Sequence, residues 1–430
     1  MSFPQVVVGR RLVVANLVTL FSGSAIAQGV TFLALFLTAR QLGASQYGQY
    51  AACFVITGFA SIAFSLGMDI WLLREGSRGA AQLGKSLGTV LAIKGGFGVI
   101  WLAVVALAAF LANSSAFPTI FICLSALCVW LDSLLATILT GFKASFRNEI
   151  TSSLEGGTDL VWLLGTLLLL RLGERETVAY LVMRVVALSL GVGSGIGLVL
   201  WKIRIQASCE VARRILSSVL PFASSELLAW AYMRVDVLVV ALVLGETATG
   251  LYSPAVGMTN ALFLAPAAVY AVAVPLFSQL LASDVGRAWR AMKQTLLLVA
   301  AIGILLSGGI FISAGPLTSW LGASFNGMRE ILQTLSPIAL LHSLSFGMAA
   351  ILVAGNQQIG RAVVQAIAVL ASIILNLLVA RWAGVRGVAV VYVITEAILL
   401  TGYTWLVLRY RLRSIARGPR GEQSECPSTS

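Results

Sequence analysis

Long blocks of apolar residues alternate with short polar and basic stretches along the chain. A helix crossing a bilayer core needs about 20 apolar residues. Segmenting on that length gives twelve candidate helices, at approximately 13–37, 47–68, 87–111, 117–140, 154–171, 178–201, 217–244, 254–277, 294–314, 331–354, 361–380 and 387–408. Cations in the connections fix an orientation, because short cytoplasmic loops carry excess Lys and Arg. Twenty fall in one set of connections, among them Arg74, Lys85, Lys143, Arg213, Arg287 and Arg409, against six in the other: Arg40, Arg171, Arg175, Arg329, Arg381 and Arg386. This bias puts both termini in the cytoplasm, which requires an even number of crossings and agrees with twelve. The longest connection on the other side, 315–330, is too short to fold alone. No soluble domain is expected. The expectation is an all-α integral membrane protein with an N-terminal six-helix bundle over 1–215, a C-terminal one over 216–410 and a basic, disordered cytoplasmic tail over 411–430.

Composition agrees with this reading. The chain is 59% hydrophobic and 11% charged over 430 residues, too little polar surface to cover a water-soluble globule. The net charge of +12 does not imply nucleic acid, since the cations sit between apolar runs instead of on a hydrated face. Cys53, Cys123, Cys128, Cys209 and Cys426 form no CxxC pair and mostly lie in apolar runs, so they read as packing residues and not as disulfides or metal ligands. Arg10, Arg11 and the stretch "AIA" at Ala25 to Ala27 imitate a secretory leader, but the apolar run continues to Ala39, longer than a leader's core of ~7 to 15 residues.

The stretch "LGASQYGQY", Leu42 to Tyr50, returns 202 residues later as "LGETATGLY", Leu244 to Tyr252. The two copies follow the first and seventh helices, so six helices separate them and the second half enters the membrane in the orientation of the first. That predicts two pseudo-symmetric bundles related by an axis along the membrane normal, with a cavity between them. In each copy the first glycine suits a helix C-terminal cap, the second a tight re-entry, and Tyr50 and Tyr252 suit an interfacial aromatic belt.

Three cations lie inside apolar runs: Lys94, Arg184 and Arg234. Each costs about 2.5 to 3.5 kcal/mol on insertion scales and should face a wet cavity or a partner. The available acidic or titratable groups are Asp132, Asp159, Glu226, Asp236, Glu396 and His342. Graded depths of the cations suit a path for an anion. Against that stands the reading in which Arg234 and Asp236 are neutralised within the bundle and Lys94 or Arg184 snorkels to an interface. Asp132 and Asp159 read as structural groups near the cytoplasmic rim, and His342 as a packing residue. Ser24, Gln28 and Thr31 share one face of the first helix, either as a cavity-lining stripe or as polar glue between helices. No GxSxG elbow, P-loop, HExxH motif or acidic metal cluster is present, so neither enzymatic activity, metal nor cofactor is expected.

The run "RQLGASQYGQYAACFVITGFASIAFSLGMDIWLLREGSRG", with "LPFASSELLAWAYMRVDVLVVALVLGETATGLYSPA" of the second half, resembles polysaccharide-unit flippases of the Wzx type. These are members of the multidrug/oligosaccharidyl-lipid/polysaccharide (MOP) exporter superfamily. The resemblance implies a MOP/MATE-like fold and a transporter of undecaprenyl-pyrophosphate-linked oligosaccharide units, working in the bacterial inner membrane for surface polysaccharide synthesis. On that basis Arg234, Lys94, Arg184, Ser24, Gln28 and Thr31 are expected to bind substrate, and Glu226, Asp236 and Glu396 to couple H+ or Na+. Expected partners are the lipid-linked substrate, membrane lipids, a polysaccharide polymerase and a chain-length regulator. Alternatives are a MATE-like drug or cation antiporter, a lipid II flippase, which usually carries two more helices, and a membrane polysaccharide polymerase or ligase, which would present a large outer loop.

Overall fold

The structure is a computed structural model and describes residues 10–76, 79–112, 117–203, 205–218 and 220–416; the side chains of 10–22, 24, 80–81, 221–222, 225, 282 and 413–416 lie outside the description. The elements are α1 (Arg10–Ala60), α2 (Ile62–Ser65), α3 (Met68–Gly76), α4 (Ala80–Ala112), α5 (Thr119–Ala144), α6 (Asn148–Arg171), α7 (Thr177–Lys202), α8 (Cys209–Ser218), α9 (Leu220–Val239), α10 (Glu246–Ala261), α11 (Leu264–Ser283), α12 (Val285–Leu321), α13 (Met328–Leu335), α14 (Pro337–Ala354) and α15 (Gln358–Ala416). A five-residue π turn, Val240–Leu244, extends α9. Ten stretches of helix are long and apolar enough to cross a membrane. Two of them reverse inside a continuous helix assignment, α1 at Gly43 (φ 74°, ψ 171°) and α15 at Gly384 (φ 59°, ψ −154°). With the arms of α1 and of α15 taken separately, the described residues hold twelve apolar helical stretches, the number expected from the apolar blocks.

Several borders differ from the sequence expectation. The block 254–277 is two helices, α10 and α11, interrupted at Leu262 and Phe263, and α10 begins at Glu246. The apolar run after Tyr50 does not stop at 68 but resumes as α3. Residues 411–416, placed in the tail, continue α15, and 417–430 lie outside the described residues. Between α7 and α9 runs α8, amphipathic, with Val211 and Ile215 buried and Arg213 and Arg214 exposed.

The backbone repeats itself. Gly245, the counterpart of Gly43, has φ 84° and ψ −172°, a region open in practice only to glycine. At the opposite end, α5 and α14 finish in the same capping motif. Phe146 and Asn356 take left-handed φ of 57° and 56°. The amides of Arg147 and Gln357 donate back to the carbonyls of Phe142 and Leu352 at 3.0 and 2.8 Å, the six-to-one bond of a Schellman cap.

Three main apolar clusters build the molecule. One lies wholly within α3 to α8 and the segments between them, around Leu72, Leu87, Ile138 and Phe142, and one within α11 to α15, around Phe277, Met292 and Leu352. The largest draws on both halves, joining Phe36, Tyr47 and Leu181 to Val240, Tyr252, Phe325 and Tyr392.

That shared cluster sits at the end bearing the Gly43 and Gly245 turns, called here the far end. The arm of α1 after Gly43 packs on α10 with reciprocal geometry. Gly48 presses on the Glu246 carbonyl and Gly250 on the Ala44 carbonyl, each so close that a methyl group built there would fall 1.8 and 1.7 Å from the oxygen. Residues 44 and 246 occupy the same place in the two copies, so the contact has two-fold form. The Glu246 carboxylate accepts from Ser45 Oγ at 2.9 Å and from Gln49 Nε2. The repeated glycine therefore serves helix–helix approach and not chain re-entry. Tyr50 and Tyr252 are buried, at 3% and 0% exposure, and do not form an interfacial belt.

Candidate functional site

Beneath this clasp, titratable groups gather in four places. In the N-terminal half, Lys94 of α4 is 1% exposed and donates to Asp69 Oδ2 of α3 at 2.8 Å and to the Ser133 carbonyl at 3.4 Å. Thr137 Oγ1 of α5 donates to the other Asp69 oxygen at 2.6 Å. Lys94 is thus enclosed among α3, α4 and α5 and does not face the central seam, against the sequence expectation. The reason is Asp69, which sequence reasoning passed over. It follows Met68 at the border of an apolar block, but the apolar run resumes at once through Ile70 to Leu73, and that continuation was the available signal.

Arg184 of α7 donates to Asp159 Oδ1 of α6 at 3.1 Å and comes within 3.9 Å of Asp132 Oδ1 of α5, while its guanidinium lies over the Trp162 ring at 4.1 Å. Asp132 and Asp159 lie near the middle of their helices, about 18 and 16 Å from the termini end at ~1.5 Å per residue, and not at a rim. Asp132 keeps 63% of its side chain exposed and senses Arg184, Asp159, Lys94 and Asp69 electrostatically. The two cations of this half are therefore outnumbered by three carboxylates. A further anion is poorly placed here.

In the C-terminal half, Glu396 of α15 is fully buried and its Oε1 meets His342 Nδ1 of α14 at 3.0 Å and the Tyr232 hydroxyl of α9. The imidazole stacks on Phe263 at 3.7 Å between centroids. His342 is thereby a hydrogen-bond partner of Glu396 as well as a packing residue. Between the halves, Glu226 of α9 accepts from Ser65 Oγ of α2 at 3.0 Å. Asp236 accepts from the Tyr252 hydroxyl at 2.7 Å. Glu226, Asp236 and Glu396 share one feature: one carboxylate oxygen is held by a hydroxyl or ring partner, and the other is buried with none among the described residues.

Arg234 stands apart. It lies ten residues before the end of the π turn at Leu244, about 15 Å deep at ~1.5 Å per residue, and its side chain is exposed. It makes no ion pair or hydrogen bond with another described residue, while its charge is felt at Tyr47 of α1, at Asp236 and at Tyr392 of α15. Arg234 and Asp236 do not form a salt bridge, because residues two apart point to different sides of a helix. On α1, Gln28 is exposed and Thr31 half-buried, whereas the side chain of Ser24 is outside the description. Among the described residues no group of His, Cys, Asp and Glu could hold a metal ion.

Among the described residues, long apolar helices in two repeated halves, a glycine clasp at one end and ionisable side chains buried between the helices define a multi-pass membrane transporter fold. Solved structures share it. The chain superposes on an inward-facing multidrug resistance MATE family transporter of the MOP superfamily with a TM-score of 0.67 at 15% identity, covering 92% of this chain and 96% of that one. For the lipid II flippase MurJ in an inward closed conformation the values are 0.63, 15%, 92% and 91%. An outward-facing MATE family transporter gives 0.59 at 13% identity, covering 95% and 97%. No curated protein matches the chain. Residues 37–330 match the model of the family described as polysaccharide biosynthesis protein, and the chain belongs to that family.

Proposed function

We propose that the chain carries undecaprenyl-pyrophosphate-linked oligosaccharide units from the inner to the outer leaflet of a bacterial plasma membrane, by alternating access of two lobes, 1–215 and 216–410. Membership of the polysaccharide biosynthesis family supports the cargo class. The observation that carries the mechanism is Arg234, a mid-membrane guanidinium without a carboxylate partner, within electrostatic reach of both halves. A pyrophosphate entering the seam loses hydration, and a planar cation that two phosphate oxygens can engage offsets that loss. Gln28 and Thr31, with Ser24 on the same stripe, offer hydrogen bonds to sugar hydroxyls, while the prenyl chain stays in lipid.

In this reading Lys94 and Arg184 hold the N-terminal bundle together and contribute little to cargo binding, since carboxylates already occupy them. Glu226, Asp236 and Glu396 are the coupling groups. A buried carboxylate oxygen without a donor is costly, so a proton or Na+ is the natural companion of each, and its arrival and departure can bias which end is open. The termini face the cytoplasm, the clasp faces outward, and a polymerase with its chain-length regulator receives the product. The chain is a transporter and not an enzyme.

Replacing Arg234 by Ala at unchanged protein level is expected to lower flipping and surface polymer at least tenfold, with Arg234→Lys retaining part. Unchanged flipping of lipid-linked oligosaccharide in vesicles removes the assignment. Export of cationic dyes with no effect on surface polymer replaces the proposal by a drug antiporter.

A further inference from the structure

Away from the seam, α12, α14 and α15 enclose a cavity of about 550 Å³ at the termini end of the C-terminal half, within the ~300 to 1,000 Å³ common for small-molecule sites. Its floor is apolar: Met292, Leu296, Met348, Ile351, Val407 and Leu408. Its mouth carries Arg290, Lys293 and Arg411 and, among the described residues, no carboxylate. Arg290 and Lys293 are exposed and make no ion pair with a described residue. The guanidinium of Arg411 lies 5.4 Å from the centre of the Trp289 ring. Trp289 lines the cavity too, and its Nε1 is sealed from solvent without a hydrogen-bond partner among the described residues.

The carboxylate nearest in sequence, Asp284, is committed elsewhere: it caps α12 by accepting from the Arg287 amide at 2.9 Å and pairs with the Arg287 side chain at 3.2 Å. That amide holds the Asp284 carboxyl below its usual range, so it stays ionised and paired with Arg287. The first turn of α12, at Gly286, adds the positive end of a helix dipole.

We infer that this cavity is a binding site for a membrane phospholipid with an anionic headgroup. The phosphate would sit between Arg290, Lys293 and Arg411, with the upper acyl chain laid along the floor. Basic pockets between transmembrane helices hold anionic headgroups for this reason. The site is separate from the seam that contains Arg234 and from the cargo path proposed there, and it would anchor the C-terminal half to its leaflet while the other half moves.

Native mass spectrometry of the full-length protein, released from nanodiscs holding phosphatidylglycerol, phosphatidylcholine or undecaprenyl phosphate, tests the site. Phosphatidylglycerol is expected to remain bound where phosphatidylcholine is lost. The double variant Arg290→Gln/Lys293→Gln is expected to weaken retention roughly thirtyfold, from two surface cations. Both positions of the double variant are exposed, so elution as wild type on size exclusion confirms the fold in the same sample. Equal retention of the two phospholipids, or wild-type retention by the double variant, overturns the proposal. Retention of undecaprenyl phosphate without phosphatidylglycerol also overturns it and assigns the cavity to the cargo.

Discussion

Adding one methyl group at Gly48 should open the far end of the molecule. A Cβ at this position would lie 1.8 Å from the Glu246 carbonyl oxygen, 2.6 Å from its carbon and 2.8 Å from the Gly250 amide nitrogen. All three are backbone atoms and cannot rotate away, so the two helices must part by more than an ångström. Overpacking of this kind costs about 1 to 3 kcal/mol. Because the cost falls only on the state in which the halves touch there, it becomes a shift of roughly 5- to 150-fold toward the state in which they do not. The sign is diagnostic, since alanine is otherwise the better helix former by about 1 kcal/mol. Gly257→Ala on α10, where nothing lies within 4 Å, is the matched control and should leave the clasp closed. Spin labels at Gln46→Cys and Thr247→Cys, both exposed at the far end, read the separation by pulsed EPR in a background without native cysteines. Wild type and Gly257→Ala should show mainly the short distance, and Gly48→Ala a growing long one with slower transport. An unchanged distance distribution in Gly48→Ala refutes the clasp.

Three further outcomes follow from contacts described above. Asp69→Ala leaves the Lys94 ammonium buried and uncompensated and should destabilise the protein by about 3 to 5 kcal/mol, whereas Asp69→Leu/Lys94→Met should recover most of that loss; thermal unfolding in detergent compares them, and equal losses argue against the pair. Phe146→Gly relieves a left-handed backbone that costs a residue with a side chain about 1 to 2 kcal/mol and should raise Tm, with a smaller gain at Asn356, whose type tolerates that conformation. Glu396→Gln keeps the shape of the His342 and Tyr232 site but removes its charge. It should abolish stimulation of flipping by an imposed H+ or Na+ gradient while gradient-free exchange persists, and a wild-type gradient response would exclude Glu396 from coupling.

The crossings were legible in the sequence because a bilayer imposes one length on every helix, and the repeat was legible because glycine alone accepts the backbone of Gly43 and Gly245. What the repeat does was not. From spacing, Gly48 and Gly250 read as turn residues, and only the packed helices show each pressed against the other copy's carbonyl. Ionisable side chains were legible as unusual but not as partners. Lys94 reads as a lone cation until α3 brings Asp69 to it from 25 residues away, and Glu396 reads as a lone acid until α9 and α14 close on it. Arg234 makes no ion pair among the described residues, because Asp236, its neighbour in sequence, is turned toward Tyr252.

The reciprocity of the clasp bears on how such a chain could arise. Gly48 meets residue 246 and Gly250 meets residue 44, the self-complementary pattern of an isologous dimer. A polypeptide of half this length, with a single copy of the hairpin, would already contain both surfaces of the contact and could join to its own twin. Fusion of two such genes would then have freed each half to diverge, one accumulating the acidic cluster around Arg184 and the other the histidine–glutamate pair, while the glycines that hold them together had to stay.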